Sequence, residues 1–187
     1  MADFKLAYAK TMKVEGGYAN DKDDSGGETW KGIARKYHPN WSGWAIIDSF
    51  KNKPGFEANL LASQTLQRLV LEFFKKEFWD VMRLDEVLWN EIAEEMFDTG
   101  VNMNHLIAVE FLQRALNATN RSQKDYPDLI IDGRMGSKSI GAINNHLRVG
   151  NVLKLLNCQQ GVRYMDIARN NPIQEKFMTS WLSRVAI

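Results

Sequence analysis

Apolar positions recur with a helical period along most of the chain, and the first stripe begins near the N-terminus. Its members, spaced three or four residues apart, are Phe4, Ala7, Tyr8, Thr11 and Val14. This spacing predicts a helix that Asp3 caps and that ends at the glycines after Glu15. From Gly16 to Gly32 the sequence is rich in glycine, aspartate, asparagine and serine, which predicts a loop or a short irregular hairpin.

Further apolar stripes predict that most of the chain is helical. A long helix face that ends near Trp79 comprises Leu60, Leu61, Leu66, Leu69, Val70, Phe73 and Phe74. A second block begins around Trp89, with a buried helix that ends at Gly100 and another helix through Ala108 and Ala115.

The remaining breaks lie in the C-terminal third. Residues 117–128 are polar and predict a surface loop, while residues 132–136 predict a turn with Ser137 capping the next helix. Two more helical stretches follow from Asn151, separated at Pro172. We therefore expect a mainly α fold with a small irregular β element and a helical C-terminal subdomain.

Composition excludes several classes of protein. The 187 residues are 44% hydrophobic and 25% charged, which is normal for a globular chain, and the net charge of +1 provides no electrostatic footprint for nucleic acid. Cys158 is the only cysteine, so no intrachain disulfide can form. It falls in an apolar-periodic stretch, which predicts a buried, inert thiol. No apolar run is long enough to insert into a membrane, and no secretory signal follows Met1.

The polar segment after the first helix carries residues suited to cleaving a glycosidic bond. That reaction needs a protonated carboxylic acid and a second polar group that handles the sugar cation or the attacking water. Glu15 stands at the predicted helix C-terminus, where the negative end of the helix dipole raises the pKa of a carboxyl group. Asp24 follows on a glycine-flexed loop and can fold back across a cleft. Thr29 offers a hydroxyl that can hold a water.

These residues belong to an ordered set of motifs: Glu15-Gly16-Gly17-Tyr18, Asn20-Asp21, Asp24, Gly26-Gly27, Thr29 and Gly32-Ile33. The set resembles glycoside hydrolase family 108, whose members were once labelled secretion activator proteins. In that family the glutamate of the first motif is the catalytic acid, which implies this role for Glu15. The set also resembles the Glu-Asp-Thr triad of phage-type lysozymes, which implies catalytic roles for Asp24 and Thr29 and a lysozyme-like fold.

The resemblance covers most of the chain. Phe78-Trp79-Asp80 resembles the end of the family's catalytic region. The segments that resemble its C-terminal peptidoglycan-binding region are 97–102, 111–116, 132–136 and 177–185. We accordingly place a catalytic region at 1–88 and a helical peptidoglycan-binding region at 89–187, packed together as one body.

Four further residues are candidates for binding substrate: Tyr18, Trp44, Asp98 and Asn102. Trp44 is a candidate for stacking on a sugar face, although the aromatic residues after the motif must also supply core. Asp98 and Asn102 share a helix-end face, where they either bind substrate or tie the helix end to the N-terminal region. The acidic loop lacks the final glutamate of a calcium-binding loop, because Gly32 occupies that position. We therefore expect neither a metal nor a cofactor.

The resemblance implies hydrolysis of the β-1,4 bond between N-acetylmuramic acid and N-acetylglucosamine, with glycan strands of peptidoglycan as the partner. A lytic transglycosylase, which forms an anhydro-sugar without water, stays open as an alternative. So do a non-catalytic peptidoglycan-binding protein beside a secretion apparatus and, as a third option, a substrate such as chitin or chitosan. Without a signal peptide the protein is expected to be made in the cytoplasm and to reach the cell wall as a prophage endolysin released by a holin, or through a secretion system.

Overall fold

A computed structural model describes residues 2–12, 17–20 and 27–185 of the chain. Its α-helices are α1 (Phe4–Thr11), α2 (Gly43–Phe50), α3 (Phe56–Ala62), α4 (Gln64–Phe74), α5 (Asn90–Met103), α6 (His105–Thr119), α7 (Ser137–Asn144), α8 (Val149–Asn170) and α9 (Met178–Leu182). Its strands are β1 (Tyr18–Asn20), β2 (Glu28–Trp30) and β3 (Ile33–Ala34). The described residues also form a π-helical segment at Lys75–Asp80 and 3-10 helices at Leu84–Glu86 and Pro172–Phe177. The predicted mainly α architecture with a small β element is confirmed.

The chain divides into two compact units. The sheet unit comprises Ala9–Lys76, and the helical unit comprises Met1–Tyr8 together with Glu77–Ile187. In the sheet unit the three strands are antiparallel in the order β1-β2-β3, and α2, α3 and α4 pack on one another. Its fully buried residues include Trp30, Ile33, Ile47, Leu60, Leu66 and Val70.

The helical unit is built on α5, α6 and α8, which pack together in pairs. Beside them lies a cluster of three aromatic rings. The ring centroids of Phe4 and Trp79 lie 5.4 Å apart, and Phe97 lies within 6 Å of both. The indole N–H of Trp79 donates to Asp85 Oδ1 at 2.7 Å, so the buried ring keeps its hydrogen bond.

Some predicted element boundaries hold and others are wrong. Asp3 caps α1 as expected, because its Oδ1 accepts the backbone N–H groups of Lys5 and Leu6. The long helix predicted to end near Trp79 is instead two helices that meet at Ser63. The Ser63 hydroxyl accepts the N–H of Leu66 while its backbone is extended, so it caps the start of α4. Helix α2 has no counterpart among the predicted elements.

Three other boundaries differ towards the C-terminus. Helix α5 continues through Gly100 to Met103, and α6 reaches Thr119, three residues into the predicted loop. Ser137 was predicted as a cap, but Gly136 occupies that position and Ser137 is the first helical residue. No helix of the described ranges is long and apolar enough to cross a membrane.

The turn at residues 132–136 is confirmed, and Gln113 holds it. This side chain is 2% exposed. Its Oε1 accepts the N–H groups of Asp132 and Gly133 at 3.0 and 3.1 Å, and its Nε2 donates to Asp132 Oδ1 and to the carbonyl of Arg134. Gly133 has φ +69°, and a Cβ there would lie 3.0 Å from the carbonyl oxygen of Leu106. Glycine is therefore required by both conformation and space.

We expect Gln113→Leu to lower the free energy of unfolding by about 2–4 kcal/mol, because several backbone groups of the turn lose their partner at once. Urea denaturation followed by circular dichroism measures the change. The matched control is Gln64→Leu at an exposed helix position, which should leave the midpoint almost unchanged. Equal midpoints for the two variants would show that Gln113 does not hold the turn.

Candidate functional site

Two of the three predicted catalytic residues lie outside the described residues. Glu15 falls in the segment 13–16, between α1 and β1, and Asp24 falls in 21–26, between β1 and β2. Thr29 is described and occupies the middle of β2.

Thr29 lies on a face of the sheet made of small side chains. It is directly opposite Ala19 on β1 and Ala34 on β3. Because residues directly opposite in neighbouring strands project to the same side of a sheet, these three side chains share one face. Thr29 is half-buried, and its neighbours on either side carry only a methyl group. Among the described residues, the small-residue face (Ala19, Thr29 and Ala34) therefore places only methyl groups beside Thr29 in the two neighbouring strands.

Glu28, beside Thr29 in sequence, is the centre of an ion-pair cluster. Its Oε2 lies 2.7 Å from Arg35 Nε, and its Oε1 lies 2.9 Å from Lys51 Nζ. The hydroxyl of Tyr18 donates to Oε1 at 3.1 Å, and Asp48 pairs with both Arg35 and Lys51. The Glu28 cluster (Tyr18, Glu28, Arg35, Asp48 and Lys51) thus links β1 and β2 to α2 and the turn after it.

This arrangement keeps Glu28 charged. Burial raises the pKa of the carboxyl group, but hydrogen bonds from Lys51, Arg35 and Tyr18 outweigh burial and hold the pKa below its usual value. Glu28 is not among the site residues predicted from the sequence. Its cationic partners follow it by 7 and 23 residues across several elements, so no local pattern indicates them.

Trp44 lies in the core of the sheet unit at 3% exposure. Its indole N–H donates to the carbonyl of His38 at 2.8 Å, and the guanidinium of Arg35 lies 4.4 Å from the ring centroid. A sugar would reach this ring only after Arg35 had moved. The predicted role of Trp44 in substrate binding stays a prediction.

Asp98 and Asn102 come together with the end of the chain. Arg184 Nη1 lies 2.8 Å from Asp98 Oδ1, and the side chains of Arg184 and Asp98 are only 8% and 16% exposed. Asn102 Nδ2 donates to the Asp98 carbonyl at 3.0 Å. Trp181 stacks on Tyr164 with ring centroids 5.1 Å apart. Asp98 therefore binds the C-terminal segment to α5.

Glu95 adjoins this ion pair and was missed by sequence reasoning. Its Oε1 accepts the hydroxyl of Thr99, and Thr99 Oγ1 in turn lies 3.4 Å from Gln160 Nε2. Burial, together with the negative charge of Asp98, raises the pKa of Glu95 to about 7. A signal was present, because Glu95 lies three residues after the buried Ile92 and three before Asp98, on the buried side of α5.

Among the described residues, no group of three or more histidine, cysteine, aspartate or glutamate side chains could hold a metal ion.

Comparison with known proteins decides the family. Residues 8–103 match the sequence model described as Glycosyl hydrolase 108. The chain belongs to the glycosyl hydrolase 108 family. Residues 107–186 match a second model, described as Predicted Peptidoglycan domain. A glycosyl hydrolase domain joined to a peptidoglycan domain supports a peptidoglycan-active enzyme.

This glycosyl hydrolase 108 protein has the fold of a solved structure described as that of Brucella abortus SagA. The two share 19% sequence identity with a TM-score of 0.61, and the match covers 97% of this chain and 88% of the other. The expected mainly α, lysozyme-like fold is thereby confirmed. No curated protein sequence matches the chain significantly.

In this glycosyl hydrolase 108 protein, we expect Glu28→Gln to lower the free energy of unfolding at pH 7 by about 1–3 kcal/mol, since charge-assisted hydrogen bonds are lost. Because the folded-state pKa of Glu28 is depressed, this contribution is present above pH 4.5 and is lost as the pH falls through the folded pKa. Urea denaturation at pH 7 and at pH 3 measures it. Glu57→Gln, on the exposed side of α3, is the control. A difference from the wild type that is equal at both pH values would contradict the cluster's role.

Glu95→Gln should have the opposite pH dependence. The raised pKa means that the folded state favours neutral Glu95, so its contribution is fully present below pH 4.5 and is lost as the pH rises through about 7. Relative to Glu95→Gln, the wild type should lose about 3 kcal/mol of stability between pH 4.5 and pH 9. Denaturation midpoints across this range test it, with Glu91→Gln on the exposed side of α5 as control. Parallel profiles for wild type and Glu95→Gln would show that Glu95 ionises normally.

Proposed function

We propose that this protein hydrolyses the β-1,4 bond between N-acetylmuramic acid and N-acetylglucosamine in peptidoglycan. The observation that carries the proposal is the match of residues 8–103 to glycosyl hydrolase 108, since that stretch contains the motif around Glu15, the loop with Asp24, and Thr29. The peptidoglycan domain match at 107–186 supports the choice of substrate.

In the proposed mechanism Glu15 is the general acid. It protonates the glycosidic oxygen as the bond to the leaving sugar breaks, which requires a carboxyl group that keeps its proton near neutral pH. Asp24 stabilises the positive charge that develops on the sugar ring, or activates the water that attacks it. Thr29 holds that water by its hydroxyl group.

Thr29 is suited to this task by its surroundings. Its neighbours on the small-residue face are alanines, which take up less space beside Oγ1 than larger side chains would. On the neighbouring residue, the Glu28 cluster anchors the same strand by ion pairs, which favours a fixed position for Thr29. Small neighbours and a rigid strand are the conditions under which one hydroxyl can position a water repeatedly.

The stereochemical outcome depends on the distance between the two carboxyl groups. If Asp24 acts through a water, the groups should lie about 6.5–9.5 Å apart and the product should be inverted. A separation of about 5 Å would instead favour a covalent intermediate and retention. Nuclear magnetic resonance of the first-formed anomer distinguishes these outcomes.

We infer that the protein acts on the cell wall after release from the cytoplasm. A holin or a secretion system is the class of partner that would deliver it. Cell fractionation with and without the neighbouring lysis or secretion functions of its host tests this inference.

We expect Glu15→Gln to lower the rate of glycan cleavage by about a hundredfold to ten-thousandfold, because the amide cannot donate the proton. Mass spectrometry of the soluble products from purified peptidoglycan measures this. The wild type should release fragments with reducing muramic acid ends. Glu57→Gln is the matched control and should release them at the wild-type rate.

The same products separate the alternatives. Anhydro-muramic acid ends would identify a lytic transglycosylase, and an absence of fragments from folded wild-type protein that still binds cell-wall sacculi would identify a binding protein. Asp24→Asn and Thr29→Val should each slow hydrolysis while leaving the bond that is cleaved unchanged. Wild-type activity in both variants would remove them from the mechanism.

A further inference from the structure

A groove of about 430 Å³ runs between α6 and α8 of the helical unit. Its apolar lining comes from Ile107 and Phe111 on α6 and from Leu155 and Val162 on α8. Every residue that lines it lies within 107–186, the stretch that matches the peptidoglycan domain. The volume falls in the range of roughly 300–1,000 Å³ that is usual for sites of small ligands.

Two acidic and two basic side chains line the groove, and within the described residues Arg163 is the one that forms no ion pair. Glu110 pairs with Arg114 at 2.8 Å, and Asp166 pairs with Arg169 at 2.9 Å. Arg163 lines the groove, is exposed, and has no ion pair within the part of the chain that the structure describes. A ligand with a carboxylate would supply the missing partner through charge-assisted hydrogen bonds.

Gln159 offers the groove a hydrogen-bond acceptor, whereas the guanidinium of Arg163 offers donors. Its Nε2 donates to the carbonyls of Phe111 and Leu155, at 2.9 and 3.1 Å. These two bonds hold the amide in one orientation. The atom that it presents to a ligand is the acceptor Oε1. An acceptor, a guanidinium and an apolar floor together suit a short peptide with amide N–H groups, small side chains and free carboxylates.

The lining is less suited to a sugar ring. Sugars bind on the exposed faces of aromatic rings, but Phe111, the aromatic residue of this groove, is 5% exposed. We propose that the groove between α6 and α8 binds the stem peptide of peptidoglycan, with Arg163 pairing a peptide carboxylate. This proposal rests on the proposed function, which makes peptidoglycan the substrate, and adds a peptide site to an enzyme that cleaves glycan.

The chain provides its own reporter for this site. Cys158 is the only cysteine, lines the groove and is exposed, in contrast to the buried thiol that the sequence predicts. The rate at which a maleimide alkylates Cys158 therefore reads occupancy of the groove directly. The probe is a synthetic alanyl-isoglutamyl-diaminopimelyl-alanine tetrapeptide, and the full chain is used. At ten times its dissociation constant the peptide should slow alkylation about tenfold by mass action.

Three comparisons test the recognition. The same tetrapeptide with its carboxylates amidated, and an oligomer of N-acetylglucosamine, should give no protection. Arg163→Gln should weaken protection by the free peptide about tenfold to a hundredfold, because charge-assisted hydrogen bonds are lost. Lys154→Gln removes the same charge from the same helix outside the groove and should protect as the wild type does.

The readout separates this proposal from the proposed function. The tetrapeptide has no glycosidic bond, so protection does not require hydrolysis, and glycan strands stripped of peptide test hydrolysis without the groove. Cleavage of such strands without protection of Cys158 would overturn the peptide site alone. Protection by the glucosamine oligomer, or equal protection in Arg163→Gln, would also overturn it. Protection without any cleavage would support the peptide site while the proposed hydrolysis failed.

Discussion

The buried ion pair of Asp98 and Arg184 governs the chemistry of the helical unit. Removing two charges from water costs several kcal/mol, so such a pair is stable only when further polar groups surround it. Asn102 and Gln160 supply donors, and the stacked rings of Tyr164 and Trp181 lie nearby. Burial raises the pKa of Glu95, and the charge of Asp98 adds to this effect. One carboxylate thus both positions the C-terminal segment and disfavours ionisation of its neighbour.

The pKa of a partly buried glutamate is lowered in the sheet unit and raised in the helical unit. In the sheet unit Glu28 lies among two cations and a tyrosine hydroxyl, so it is held charged and cross-links a hairpin too short to be stable alone. In the helical unit burial and the nearby carboxylate of Asp98 raise the pKa of Glu95 to about 7, so its neutral form is favoured below that pH. The hairpin is the element on which we place the proposed mechanism, and there the ion pairs add to the burial of Trp30 and Ile33 as a source of rigidity.

Local patterns in the sequence predicted most of the helices, the Asp3 cap and the turn at 132–136, because each depends on residues a few positions apart, but they did not predict α2. The break at Ser63 was missed, since a serine within an apolar stripe is compatible with a continuous helix. The surroundings of the described site residues were also missed. Arg184 is 86 residues from Asp98, and Gln160 is 62 residues from it. Trp44 was recognised as an aromatic residue near the motif, but the guanidinium on its ring was not. Glu15, Asp24 and Thr29 were predicted from a family motif, which can be recognised without knowing the fold, and they stay predictions.

The boundary between the two family matches falls between residues 103 and 107, where Asn104 alone connects α5 to α6. These two helices pack on each other inside the helical unit, and α8 packs on both. Exchange of the chain beyond this boundary would remove α6 and α8 from the core. The apolar face of α5 would then be exposed. The segment that the peptidoglycan-domain model matches is therefore not a complete folding unit. Transfer of that segment to another protein would have to include α5 or provide a new partner for its buried face.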